Sequence, residues 1–204
     1  MDSQKGYDYL LAALRATLDT LELQLIIIGT GRADLVASTK TLASKHEAKL
    51  CLAGWCGPER YAIVAAADYN LMPSRWEPCG LAQIESMRFG TLPVVALTGG
   101  LVDTVEDGVT GLHMRGAVSV EKALDPSSVE LMAQALERCV EVYSSPEKIS
   151  NMRKAAMVAG NEYTWSNAAL QYEVVFEELG VVDVLPLCKG EDMAVHLQKD
   201  ASVA

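Results

Sequence analysis

Leu25-Ile26-Ile27-Ile28-Gly29-Thr30-Gly31 decides the fold class. An unbroken apolar run that stops at a glycine turn reads as a strand covered on both faces, because a half-exposed strand would alternate apolar with polar residues. Outward from it the same unit repeats. Before it, apolar residues recur at helical spacing from Gly6 to Leu21. After it, a helical stretch from Ala33 to His46 leads to a strand at Lys49 to Ala53, and Pro58 opens a further helix through Ala66. Tyr69 to Pro73 is the next strand, Gly80 to Phe89 a helix, Leu92 to Leu97 a strand, and Thr110 to Met114 the last strand. Short apolar runs alternating with helices predict an α/β fold: a doubly wound parallel sheet with helices on both faces.

Beyond Gly116 helices take over. Asp125-Pro126 caps one that carries Val129, Met132, Leu136, Val140 and Tyr143, and Pro146 starts another. Trp165, Ala168, Ala169, Tyr172, Val175, Phe176 and Leu179 then form one stripe ended by Gly180, the spacing of a helix with one packing face. The division expected is one domain over 1–180 and a tail over 181–204 with one short helix.

Half of the 204 residues are hydrophobic and 22% are charged, a balance far from that of a chain too polar to collapse. A net charge of −10 argues against a phosphate-tracking nucleic-acid binder. No apolar stretch reaches the eighteen or so residues of a membrane span, and no targeting segment is visible, so neither membrane nor nucleic acid is an expected partner. The five cysteines include no Cys-x-x-Cys pair and only three His accompany them, which predicts that most are reduced core thiols and that there is no metal site.

Ligands of such sheets bind beyond the carboxyl ends of the strands, where backbone donors are free for anions. Three of these ends carry glycine turns: Gly29-Thr30-Gly31, Pro73 to Leu81, and Thr98-Gly99-Gly100-Leu101. A bare Gly-x-Gly equally suits a turn with no ligand. In the second, Pro78 extends the approach of Glu77 and Gly80 permits close contact, so a carboxylate and several amides converge as a sugar phosphate requires. Glu85 follows eight residues after Glu77, and on spacing alone both acids could equally be solvated surface charges.

The run Ala67-Asp68-Tyr69-Asn70-Leu71-Met72-Pro73-Ser74-Arg75-Trp76-Glu77-Pro78-Cys79-Gly80-Leu81 is continued by Met87-Arg88-Phe89-Gly90-Thr91 and by Thr98-Gly99-Gly100-Leu101-Val102-Asp103-Thr104-Val105. With Gln4-Lys5-Gly6 and Thr110-Gly111-Leu112-His113-Met114, it closely resembles the starch and glycogen synthases, retaining glucosyltransferases of the GT-B fold. The resemblance covers about residues 1–180 and implies the C-terminal, Rossmann-like nucleotide-binding domain with a helical C-terminal extension.

That resemblance implies transfer of glucose from ADP-glucose to the non-reducing end of an α-1,4-glucan, without cofactor or metal, in a plastid. It assigns Lys5 to the donor phosphates and Glu77 to the transferred glucose. The backbone of Cys79, Gly80 and Leu81 would meet sugar hydroxyls and phosphate, with Thr98, Gly99 and Gly100 lining the same pocket. Trp55 falls where the family usually has a Tyr against adenine, and Glu85 completes a paired-glutamate spacing with the ribose as its contact. An Arg that the family carries five residues before the motif Lys has no counterpart here, and the N-terminal domain with its Lys-x-Gly-Gly-Leu motif and acceptor-side His is missing. The chain alone is therefore expected to bind ADP or ADP-glucose weakly and to turn over little. A glycogen synthase, another nucleotide-sugar glycosyltransferase, and a non-catalytic module that binds ADP-glucose or glucan are the alternatives left open.

Overall fold

The computed structural model describes residues 1–116, 118–119 and 124–180, in two units, Met1–Glu162 and Tyr163–Ala204. In the first, β1 (Leu25–Ile28), β2 (Leu50–Gly54), β3 (Tyr69–Met72), β4 (Leu92–Val95) and β5 (Leu112–His113) alternate with helices. These are α1 (Tyr7–Thr17), α2 (Ala33–Lys45), α3 (Arg60–Ala66), α4 (Ala82–Arg88) and α5 (Gly100–Thr104), followed by α6 (Pro126–Tyr143) and α7 (Pro146–Glu162). Every strand pair is parallel, as the buried apolar runs predict.

The pairing differs from the single sheet expected. Among the described residues β1 pairs only with β2, in the register Leu25↔Leu50, and a separate sheet has the order β3-β4-β5. Local apolar patterning sets which segments are strands, whereas pairing depends on neighbours far away in the chain. The helices pack along the chain of neighbours α2, α1, α6, α7 and α4. α1 lies against α2 and α6, while α4 lies against α7, with α3 beside it through the Tyr61 and Phe89 rings at 6.2 Å. Tyr9, Leu14, Leu92, Val94, Met114 and Met132 are fully buried at the centre of the core.

Several ends are shorter than the sequence pattern suggests. α1 stops at Thr17 rather than Leu21, because Thr20 and Leu21 donate their amides to the Thr17 carbonyl in a closing turn. The helix expected from Pro58 begins as a 3₁₀ turn, Gly57–Glu59, before α3. At α6 the Asp125 carboxylate accepts from the Ser128 amide and the Ser127 and Ser128 hydroxyls. These hydrogen bonds, the Ser127 hydroxyl foremost, hold its pKa down at about 2.

The cysteines depart from expectation. Among the described residues only Cys139 is buried, and burial pushes its thiol up to about 12. Cys51 is exposed on β2, and Cys56 and Cys79 sit in loops beyond strand ends, so a cysteine in an apolar-looking segment still faces outward when its strand lies at a sheet edge. Cys188 lies outside the described residues.

The second unit is described through α8 (Trp165–Glu178), capped by Thr164, whose hydroxyl accepts from the Asn167 amide. The predicted stripe is helical, and no residue of α8 is buried. The tail expected over 181–204 and its short helix lie outside the described residues.

Candidate functional site at the carboxyl edge

The chain runs outward from β1 to β2, returns to β3, and runs outward again through β4 and β5. Where the winding reverses, the loops that leave neighbouring strands diverge and leave a crevice at their carboxyl ends. Residues 1–5 lie in that crevice and join its two sides. The Met1 carbonyl accepts from the Arg32 amide on the β1 side, and the Gln4 carbonyl accepts from the Arg75 amide on the β3 side at 2.9 Å. Gln4 Nε2 also donates to the Trp76 carbonyl at 2.6 Å.

This bridge brings Lys5 against Glu77, 72 residues later. Lys5 Nζ donates to Glu77 Oε2 at 2.5 Å, and the Ser74 hydroxyl donates to the same oxygen at 3.3 Å. Glu77 is only 7% exposed, while half of the Lys5 side chain remains open. A nearly buried carboxylate held by an ammonium and a hydroxyl is fixed in place, and the open lysine can still meet an anion from solvent.

The loop that carries Glu77 is clamped from below. Arg75 is 3% exposed; its guanidinium grips Asp8 through Nη1–Oδ1 at 2.5 Å and Nη2–Oδ2 at 3.0 Å, and also donates to the Ser3 carbonyl. It lies 4.9 Å from the Tyr9 ring centroid, and the Tyr9 hydroxyl donates to the Pro73 carbonyl. Burial raises the Tyr9 pKa well above the ordinary phenol value, which keeps that hydroxyl a donor. Gly6, at φ 66°, has no room for a Cβ beside the Pro73 carbonyl, which is how α1 comes so close to this loop.

A second buttress comes from the turn after β4. Gly99, at φ 47°, presses on the Glu77 carbonyl where a Cβ would collide, and the Gly100 amide donates to that carbonyl at 3.2 Å. Thr98 Oγ1 donates to the Arg75 carbonyl at 3.3 Å. Thr98, Gly99 and Gly100 thus back the Glu77 loop, and the Gly100 amide is committed to it. In contrast, the amides of Cys79, Gly80 and Leu81 have no hydrogen-bond acceptor among the described residues. Gln83, fully buried, shapes that turn by donating from Nε2 to the Cys79 and Gly80 carbonyls at 3.0 and 2.9 Å and to Thr104 Oγ1. Three successive free N–H groups following a carboxylate are a ready anion cradle.

Trp55 and Glu85 stand apart from this arrangement. Trp55, just past β2, is 73% exposed. Glu85 faces Arg60 at 3.7 Å and accepts from the Tyr61 hydroxyl at 3.5 Å. Among the described residues no hydrogen bond or ion pair links either of them to Lys5 or Glu77. Asp8, Tyr9, Ser74, Arg75 and Gln83 were not singled out by sequence reasoning. Only the position of Ser74 and Arg75 inside the quoted run pointed toward them.

The description "Glycosyl transferases group 1" belongs to the family model that matches residues 1–141. The chain belongs to this family. Granule-bound starch synthase 1 of Arabidopsis thaliana is 38% identical over 196 residues, covering 95% of this chain and 31% of that protein. The glycogen synthase of Thioalkalivibrio sulfidiphilus is 36% identical over 181 residues, covering 88% of this chain and 37% of its own length. The chain therefore spans about a third of the length of the curated relatives it matches.

Among solved structures, the catalytic domain of starch synthase IV from Arabidopsis thaliana, bound to ADP and acarbose, superposes with a TM-score of 0.65 at 27% identity, covering 86% of this group 1 glycosyltransferase and 36% of that chain. Sucrose-phosphate synthase from Thermosynechococcus elongatus gives 0.65 at 25% identity, covering 89% and 44%. The parallel α/β architecture is that of the GT-B glycosyltransferases. Among the described residues no group of three or more His, Cys, Asp or Glu is placed to hold a metal ion, and no helix is long and apolar enough to cross a membrane.

Proposed function

We propose that this group 1 glycosyltransferase chain supplies the nucleotide-sugar side of a retaining glucosyl transfer, from ADP-glucose to the non-reducing end of an α-1,4-glucan. The observation that carries the reading is the Lys5–Glu77 pair at 2.5 Å, joined across the crevice where the winding of the sheet reverses. In this reading the donor diphosphate takes Lys5 as its counter-charge, and Glu77, released from the ammonium, accepts hydrogen bonds from glucose hydroxyls. The free amides of Cys79, Gly80 and Leu81 meet phosphate oxygens or sugar hydroxyls, and the Thr98–Gly100 turn keeps the loop in place.

The bond between the glucose C1 and the phosphate oxygen breaks, a bond from C1 to the acceptor hydroxyl oxygen forms on the same face, and the acceptor proton leaves with the departing ADP. Negative charge grows on the leaving phosphate, where Lys5 and the amides are worth most. Trp55 offers an exposed indole to the adenine, and Glu85 a carboxylate to the ribose. The acceptor glucan and the remaining half of a GT-B cleft belong to polypeptide beyond this third of the relatives' length. The naming of the plant relatives as chloroplastic or amyloplastic supports a plastid setting.

Calorimetric titration of the full chain with ADP, ADP-glucose and UDP-glucose tests the reading. Saturable binding of ADP and ADP-glucose, weakened at least about tenfold by Lys5→Ala, is expected. No heat of binding from any of the three ligands at millimolar concentration overturns it.

A further inference from the structure

The buried face of α4 is made of Gln83, Ser86 and Met87. Spacings of three and four residues make these the core positions of the helix, and a wholly enclosed glutamine is uncommon there, because its carboxamide must be satisfied without water. Gln83 meets that demand at one end only. Its Nε2 lies 3.0 Å from the Cys79 carbonyl, 2.9 Å from the Gly80 carbonyl and 3.0 Å from Thr104 Oγ1, so three acceptors share two protons. Its Oε1 is buried with no donor among the described residues. An apolar side chain of the same length would avoid that orphaned oxygen, so stability alone does not account for Gln83, and its nitrogen is the end that the fold uses.

What the nitrogen does follows from the peptide plane. In a trans peptide the C=O and the next N–H point in opposite directions. Drawing the Cys79 and Gly80 carbonyls beneath the turn therefore turns the Gly80 and Leu81 amides to its other side, where neither has an acceptor among the described residues. Gly80 permits this in two ways. Its φ of 75° is left-handed, and a Cβ there would stand 2.5 Å from Gln83 Oε1, in the space that the carboxamide occupies. The third acceptor joins the turn to its neighbour: Thr104 Oγ1 donates to the Gly100 carbonyl at 2.7 Å, and the Gly100 amide donates to the Glu77 carbonyl at 3.2 Å. One side chain thus ties the amides after Glu77 to the α5 turn that backs Glu77 itself.

We propose that Gln83 is a positioning residue for the donor phosphates: it touches no ligand, but aims the Gly80 and Leu81 amides into the crevice and fixes them relative to the Glu77 loop. The role rests on the nucleotide-sugar reading of the site, whose phosphate end it sets. Amides already turned outward need no rearrangement when phosphate arrives, which is where preorganised dipoles gain over flexible ones. Released from Nε2, the same two peptides are free to rotate, and each contact with an anion then costs the entropy of stopping them.

Gln83→Met, which keeps the length of the side chain but donates nothing, tests this by calorimetry and by backbone amide resonances of the full chain with ADP. Binding of ADP is expected to weaken about tenfold, with the ADP-induced shifts at Gly80 and Leu81 lost at saturation and the shift at Lys5 retained. The denaturation midpoint is expected to change little, since the orphaned oxygen goes together with the lost hydrogen bonds. Thr104→Val, which leaves Gln83 in place but cuts its tie to α5, is expected to weaken ADP about threefold, and supplies a readout should the Gln83 variant fail to fold. Met132→Ala, which opens a cavity in the core at α6, is expected to lower the midpoint and leave the pattern of shifts as in wild type. Wild-type affinity and wild-type shifts at Gly80 and Leu81 in Gln83→Met would overturn the inference and leave the nucleotide reading standing. Loss of the same two shifts in Met132→Ala would also overturn it, by showing that any loosening of the core produces them. Absence of ADP binding by the wild-type chain overturns the reading, and the inference with it.

Discussion

Arg75, in the loop after β3, is 3% exposed and tied to Asp8, Ser3 and Tyr9, whereas Trp55, in the loop after β2, is 73% exposed and bonded through its side chain to nothing among the described residues. Both loops leave the carboxyl ends of parallel strands, yet one is locked and the other open. The locked loop carries the Glu77 carboxylate, and under the proposed function each clamp limits the motion of a group that has to orient a sugar. The role proposed for Trp55, a flat ring against a nucleobase, asks for much less, because stacking tolerates sliding. The difference implies that damage to the first loop spreads into folding and chemistry together, while damage to the second is confined to affinity.

The largest effect is expected where the clamp is broken outright. Arg75→Met leaves the largely buried Asp8 carboxylate without its partner and should lower stability by about 3 kcal/mol or more, measured by chemical denaturation. Arg75→Lys keeps the charge but not the two-pronged grip, and should fall between wild type and Arg75→Met. Next, in an assembly that elongates glucan, Glu77→Gln should reduce turnover about a hundredfold or more, read from radiolabelled glucose transfer, and lower Tm slightly as the bonds from Lys5 and Ser74 weaken. Gly99→Ala forces a side chain against the Glu77 carbonyl at a left-handed backbone position, and should reduce both stability and ADP-glucose binding.

Smaller still, Trp55→Ala should weaken ADP binding about tenfold in calorimetry and leave the denaturation midpoint in place. A loss of stability there as large as that of Arg75→Met would erase the contrast between the two loops. Asp125, at the start of α6 and outside both loops, supplies a reference. Its native pKa of about 2 lies below the unfolded value of about 4, so its contribution to stability is full above pH 4 and is lost as the pH falls toward 2. Asp125→Ala should lower Tm slightly at pH 7, flatten that part of the acid profile, and leave ADP binding unchanged.

Much of the fold is written locally. Leu25–Ile28 needed no context to be read as a strand, although only Ile27 of it is buried and Ile26 is 53% exposed, and the Asp125-Pro126 cap announced α6 as directly as any residue in the chain. The grouping of β1 with β2 and of β3 with β4 and β5 was not legible, because a strand's own residues say that it needs neighbours and not which ones it meets. Lys5 and Glu77 were joined in advance only through the family resemblance; nothing in a separation of 72 residues says that a lysine near the start of the chain closes on a glutamate in a later loop. The Asp8–Arg75 clamp was missed for a related reason. A charged residue in a polar loop reads as solvated, and only the packed structure shows a guanidinium enclosed by an α1 tyrosine and a carboxylate.

The central claim, that Lys5, Glu77 and the turn after it form one nucleotide-sugar site, is tested most directly by following backbone amide resonances of the full chain while ADP-glucose is added. The account predicts that the largest shifts fall on Cys79, Gly80 and Leu81, with the Lys5 amide moving as its side-chain bond to Glu77 is exchanged for phosphate. Shifts concentrated instead on the cavity of about 460 Å³ lined by His113, Arg115, Arg138 and Lys148, with residues 77–81 unmoved, would contradict it.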